Sequence, residues 1–130
     1  YGLGDYIHFE GRLVGRDKYR AYADNDVYIF PSWTEGCPNS VLEALGSGLF
    51  IISTDVGALR EIIQDNVNGK IVHIKDCDDL AEKMAWACEN VEWIRNQRER
   101  IREGALECYE ASIITEKFKE IYHNLTQGMK

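Results

Sequence analysis

The sequence predicts an α/β domain, a Rossmann-like three-layer arrangement in which a parallel sheet of about four strands lies between helices. Three observations carry this. Short apolar runs such as Val27-Tyr28-Ile29-Phe30 and Phe50-Ile51-Ile52-Ser53 alternate along the chain with helical patterns, the order expected of parallel strands joined by crossovers. These runs are continuously apolar instead of alternating, as in strands covered on both faces. The length of 130 residues and a hydrophobic content of 45% support one domain, residues 1–130, around one core.

The elements follow in chain order. Ile7-His8-Phe9-Glu10 is β-branched and aromatic and is followed by Gly11, which predicts a strand and a turn. Residues 17–23 form a short helix with Tyr19, Tyr22 and Ala23 on one face. After the Asp24-Asn25 break, Val27 to Phe30 is a buried strand, ended by Pro31-Ser32-Trp33-Thr34. A helix over 40–46 is stopped by Gly46 and Gly48. Residues 50–53 are a second buried strand, Asp55-Val56-Gly57 turns, and 58–64 make a short helix. Asn66-Val67-Asn68-Gly69 is a strong turn signal before a strand at 70–74. An amphipathic helix over 76–89 places Leu80, Met84, Ala87 and Cys88 on one stripe. A charge-laced helix over 91–109 and a last one over 114–125 complete the chain, with no repeat and no linker.

Charge and composition exclude several functions. A net charge of −7 and a pI near 4.9 argue against nucleic acid and against a polybasic membrane anchor. Cysteines 37, 77, 88 and 108 form no C-x-x-C pair and histidines 8, 73 and 123 are scattered, so zinc is not expected. Free thiols suggest a reducing compartment. The apolar runs are too short to span a bilayer. The chain begins at Tyr1 with no visible signal peptide and reads as a piece of a longer protein.

The chemistry concentrates in one loop. Glu35 and Glu43 bracket Gly36-Cys37-Pro38-Asn39-Ser40-Val41-Leu42, where a buried strand ends and a helix opens. A helix N-terminus offers free N–H groups to an anion, and carboxylates accept hydrogen bonds from sugar hydroxyls. Phosphate beside polyol is the chemistry of a nucleotide-sugar. In open α/β sheets ligands bind outside the carboxyl ends of the strands, where loops 11–15, 31–40 and 54–58 are expected. Plainer roles stand beside these. Glu43 closes a capping box with Ser40 or contacts a ligand; Glu35 is solvated or contacts a sugar. Gly36 permits close backbone approach or merely turns, and Pro38 shapes the turn. Asn39 reads as the helix N-cap, Cys37 as a small buried thiol, and Trp33 as core packing in preference to a stacking platform. His8 and His73 read as structural, and 95–103 as a solvated helix face.

The stretch 23–44, Ala-Asp-Asn-Asp-Val-Tyr-Ile-Phe-Pro-Ser-Trp-Thr-Glu-Gly-Cys-Pro-Asn-Ser-Val-Leu-Glu-Ala, resembles the family-4 retaining glycosyltransferases of the two-domain GT-B fold. The likeness continues through Gly48, Thr54-Asp55-Val56-Gly57-Ala58, Glu61-Ile62-Ile63 and Asn68-Gly69-Lys70-Ile71-Val72, and upstream through Ile7-His8-Phe9-Glu10-Gly11, over residues 1 to about 90. The resemblance implies the C-terminal, donor-binding domain of such an enzyme. It assigns Glu35 to the donor sugar as the catalytic-site carboxylate and Glu43 to the ribose. Gly36, Cys37 and Pro38 count among the substrate-binding residues, and the N–H groups near Asn39, Ser40 and Val41 fall to the diphosphate. The Glu10-Gly11-Arg12 loop falls near the base, with Arg12 a candidate phosphate contact. No metal or other cofactor is implied. The implied partners are a nucleoside-diphosphate sugar, a glycan or lipid-linked acceptor and an N-terminal domain absent from this sequence, without which the fragment is inactive. The implied setting is cell-surface polysaccharide or glycan synthesis, cytoplasmic, with peripheral membrane contact through the absent domain.

Two departures matter. The family's domain normally starts with two further strands carrying a basic pair, and Phe50 stands where proline is usual. Without those strands, residues 7–10 lose their neighbour and are expected to pair with another chain or beside Val27–Phe30. Rival functions are a non-catalytic sugar-nucleotide module, a GT-B epimerase, and a flavodoxin-like interaction domain, the last of which has no need for the glutamate pair.

Overall fold

All five residues of strand β2 (Phe50–Thr54) are buried, and the rest of the protein is organised around them. The computed structural model describes residues 3–127. β2 pairs in parallel with β1 (Val27–Phe30) on one side and β3 (Gly69–Val72) on the other, Val27 opposite Phe50 and Ile51 opposite Gly69. The sheet therefore has three strands in the order β1-β2-β3, against about four expected. Side chains alternate across it. Phe50, Ile52 and Thr54 share one face with Val27, Ile29, Lys70 and Val72; Ile51 and Ser53 share the other with Tyr28, Phe30 and Ile71.

Helices cover both faces. On the first, Trp86 of α4 (Cys77–Glu89) and Trp93 of α5 (Val91–Tyr109) lie 5.7 and 6.1 Å from the Phe50 ring, and Lys70 Nζ sits 4.1 Å above Trp86. On the second, Tyr22 of α1 (Gly15–Ala23) meets Tyr28 edge-on at 5.8 Å, beside α2 (Asn39–Gly46). α2 contributes the fully buried Val41 and Leu45. A single turn, α3 (Leu59–Ile62), links β2 to β3 and buries Leu59.

Two strand expectations need correction. Residues 7–10 form no strand, and Phe9 is 95% exposed. The segment pairs neither with β1 nor with any other described residue, so the expected pairing beside β1 does not occur. Its local composition suits a strand, but a strand exists only as a pairing, and no edge comes to it. β1, expected to be covered on both faces, is an edge strand whose Ile29 is 36% exposed. α4 lies over β2 and β3 and leaves that end of the sheet bare.

The helix over 91–109 appears with the expected bounds, but its charged run is not all solvated. Arg98 is half-buried and donates to the carbonyl oxygens of Asn25, Tyr22, Ala23 and Ser47 at 2.9 to 3.3 Å. These carbonyls close the ends of α1 and α2, where a guanidinium satisfies orphan acceptors and complements the helix dipoles. Arg98→Ala is expected to cost roughly 2 kcal/mol in urea denaturation. Arg98→Lys should recover little of it, since an ammonium cannot span the same fork.

α6 (Ala111–Gln127) begins three residues earlier than its apolar pattern and buries no side chain. Phe118, Ile121, Tyr122 and Leu125 remain exposed along one stripe. No helix among the described residues is long and apolar enough to cross a membrane.

Candidate functional site

Buried hydroxyls in β2 hold the loop that follows β1. Ser53 Oγ donates to the Phe30 carbonyl at 2.9 Å and Thr54 Oγ1 donates to the Ser32 carbonyl. A central strand thereby fixes the path of the neighbouring strand's exit. The turn after β2 clamps the same loop further on. Ala58 N–H donates to Gly36 O at 2.8 Å. Gly57 has φ +55°, and a Cβ there would collide with the carbonyl oxygens of Glu35 and Gly36. Loops 31–40 and 54–58 are thus in contact at the carboxyl rim.

Glu35 is not a freely solvated carboxylate. It is half-buried, and its Oε1 accepts from Ser32 Oγ at 2.8 Å within the same tight turn. Gly36 and Cys37 are exposed and Pro38 is buried. The exposed Cys37 corrects the buried-thiol expectation: the clamp on Gly36 turns the next residue outward. All four cysteines are free and exposed.

Pro38, not Asn39, is the N-cap of α2, with φ −72° and ψ 116°; Asn39 is the first helical residue. Proline's fixed φ suits a helix entry and left no need for an Asn cap. Val41 N–H bonds Pro38 O at 3.1 Å, but among the described residues the N–H groups of Asn39 and Ser40 find no acceptor. The tip of α2 is open.

This start corrects the capping-box expectation as well. Ser40 lies inside the helix, so Glu43 has no N-cap to reach back to. Its carboxylate turns to α1 instead, accepting from Lys18 Nζ at 2.7 Å and from Tyr22 OH at 3.3 Å. The bond to Glu43 raises the Lys18 pKa above its ordinary value. Burial, with Tyr28 and Glu43 adding, pushes the Tyr22 phenol up to about 12. Lys18 and Tyr22 are the site residues that local pattern missed. The helical spacing placed Tyr22 on an inner face, but no short-range signal marks Lys18, which meets Glu43 across 25 residues. Tyr109, at the end of α5, stands near Cys37 and Glu61. Burial raises its phenol first, with Cys108, Cys37 and Glu61 adding.

Gly11 and Arg12 lie on the exposed segment before α1, Gly11 with φ +67°. No described hydrogen bond or ion pair brings Arg12 to α2. Trp33 corrects the core-packing expectation: it is 66% exposed, with Lys75 Nζ 4.9 Å from its ring centroid. It sits on the rim above the sheet, where no further layer covers it.

His8 is exposed on the unpaired segment, and His73 follows β3 instead of lying in it. His73, Asp76 and Asp79 bring their ligand atoms within 4.8 Å of one another. Those atoms serve the start of α4. Asp76 caps it by accepting from Asp78 and Asp79 N–H at 3.1 and 2.9 Å. Asp79 accepts from His73 N–H at 2.8 Å and pairs with His73 Nδ1 and Lys83. The His73 bonds, backbone first, hold the Asp79 carboxyl below its ordinary range.

Residues 1–90 match the family described as Glycosyl transferases group 1. The N,N'-diacetylbacillosaminyl-diphospho-undecaprenol alpha-1,3-N-acetylgalactosaminyltransferase of Campylobacter jejuni is 29% identical over 104 residues, 80% of this chain and 27% of that protein. The N-acetyl-alpha-D-glucosaminyl L-malate synthase of Bacillus anthracis is 27% identical over 128 residues, 95% of this chain and 34% of that protein. The structure of sucrose-phosphate synthase from Thermosynechococcus elongatus superposes with a TM-score of 0.84 at 23% identity, covering 97% of this chain and 32% of that one. The chain thus spans about a third of the length of these proteins.

Proposed function

The chain belongs to the group 1 glycosyl transferases, with part of a GT-B fold, and from that premise we propose that it is the donor-binding part of a retaining enzyme. The enzyme moves a sugar from a nucleoside diphosphate to an acceptor hydroxyl. The observation that carries this reading is the open tip of α2, with free N–H groups on Asn39 and Ser40 and a half-buried carboxylate on either side in sequence. Glu43 is four residues into the helix from Asn39, on the same face.

The tip receives the diphosphate, as backbone donors and the helix dipole favour an anion there. The same groups stabilise the charge that grows on the departing diphosphate. Glu35, held by Ser32, accepts from hydroxyls of the donor sugar and fixes its orientation. Glu43 anchors the ribose through capacity that the long Tyr22 bond leaves free, and Lys18 brings a cation to the same helix face. No metal is needed for this. Gly11 and Arg12 approach the base when the rest of the enzyme is in place.

The acceptor, a glycan or a lipid-linked saccharide, is held largely by an N-terminal domain, and the 130-residue chain alone is inactive. The apolar stripe of α6 docks on that domain. The setting is polysaccharide or glycan assembly in the cytoplasm, at or near the membrane.

Calorimetry tests the donor reading directly. The full-length protein is expected to bind at least one of UDP, GDP and ADP, and to do so equally in EDTA. Absence of binding by all three removes the reading, and dependence on a divalent ion removes its metal-free form.

A further inference from the structure

Trp33 is a second chemical feature of the carboxyl rim, and the donor site does not use it. The loop places it across the sheet from the tip of α2. α2 packs on the face that carries Tyr28 and Phe30, beside Tyr22. Trp33 instead lines a small cavity with Pro31, Thr54, Val72, Lys75 and Leu80, on the side of β3 and α4. A ligand on this indole is therefore distinct from the diphosphate at α2, yet only Thr34 separates Trp33 from Glu35.

The surroundings are those of a built surface. Thr54 and Ser53 pin the stem of the loop, so the indole is presented on a fixed base. Lys75 has φ +63°, a left-handed conformation that non-glycine residues seldom adopt. Such outliers gather where a side chain must be held in place. Here the backbone carries the ammonium to 4.9 Å from the indole centroid, a cation–π distance. Lys75 meets one ring face, and the residue as a whole is 66% exposed. The cavity beside the ring holds about 70 Å³, room for a group of roughly two water molecules' volume.

We propose that Trp33 and Lys75 form a saccharide platform that takes one pyranose unit of the acceptor. The apolar C–H face of a pyranose suits the exposed indole, as the apolar body of an aromatic suits a flat hydrophobic partner. The Lys75 ammonium backs the ring from its other face and fixes the indole through the cation–π contact, and an exocyclic hydroxymethyl group fits the cavity beside the ring. That the unit belongs to the acceptor rests on the donor reading above; that a pyranose binds at Trp33 does not.

The test is a titration of the full-length protein, 15N-labelled at tryptophan, with maltotriose, chitotriose and mannotriose in turn. At least one is expected to shift the Trp33 indole N–H saturably at millimolar concentration and to receive saturation transfer from the protein. Trp33→Ala should reduce that transfer roughly five-fold or more and Trp33→Phe should retain most of it. Near-UV dichroism from Trp86 and Trp93 reports that the variants are folded. Silence of the wild-type indole with all three sugars overturns the proposal without recourse to any variant, as does undiminished transfer to folded Trp33→Ala. Nucleotide calorimetry on the same samples separates the two readings. Saccharide silence with nucleotide binding intact sinks the platform alone, and the converse sinks the donor site alone.

Discussion

Glu35→Gln is expected to lower kcat/KM for sugar transfer roughly 10- to 150-fold while leaving nucleoside-diphosphate affinity nearly unchanged. The substitution preserves shape and one acceptor oxygen, so the Ser32 bond at 2.8 Å can persist and the loop need not move. What goes is the negative charge offered to the donor's hydroxyls, and hydrogen bonds to a charged acceptor are worth about 1.5–3 kcal/mol. The diphosphate is held by α2's N–H groups, which the substitution does not touch. A loss confined to transfer, read as release of nucleoside diphosphate from the full-length enzyme's own sugar donor, separates orientation of the sugar from binding of the nucleotide. Unchanged transfer would remove Glu35 from its role. Loss of nucleotide affinity in step with transfer would mean that the loop, not the charge, had been disturbed.

How far the site was legible follows from what each residue's role depends on. β2 and the long helix α5 were readable because burial and periodicity are written locally: five consecutive buried residues, then a charge-laced helical run. The glutamate loop and the presence of a helix after it were readable for a similar reason, since turn, proline and helix are neighbours in sequence, although the helix starts one residue before the pattern placed it. The fate of Glu43 was not. Ser40 and Glu43 have capping-box spacing, and the choice between that box and Lys18 depends on where the helix begins and on α1 arriving from 25 residues away. Residues 7–10 failed in the same way. Their composition suits a strand, but pairing is a property of two segments, and the second was never in the local pattern. Trp33 is the opposite case. A large aromatic after a strand usually belongs to the core, but the sheet ends at Phe30 and, among the described residues, no layer covers Trp33 at the rim.

Gly57→Ala is expected to destabilise the protein by roughly 3 kcal/mol and to reduce transfer, although residue 57 touches no ligand. Two costs combine. A φ of +55° is left-handed, where an L-residue pays about 1–2 kcal/mol. The new Cβ would also strike the carbonyl oxygens of Glu35 and Gly36, backbone atoms that cannot rotate away. The chain can keep the fold and carry the strain, or release it by moving the loop. Moving it breaks the Ala58–Gly36 hydrogen bond and displaces Glu35, and misplacement of a positioning group by about 1 Å can cost on the order of 100-fold in rate. Gly46→Ala is the control, since a Cβ there meets nothing within 4 Å. It lies in the last turn of α2 and is expected to stabilise the protein by roughly 0.4–1 kcal/mol with transfer unaffected. Urea denaturation and transfer rate, measured on both variants, decide the matter. If Gly57→Ala leaves both quantities at their wild-type values, the turn after β2 does not brace the glutamate loop.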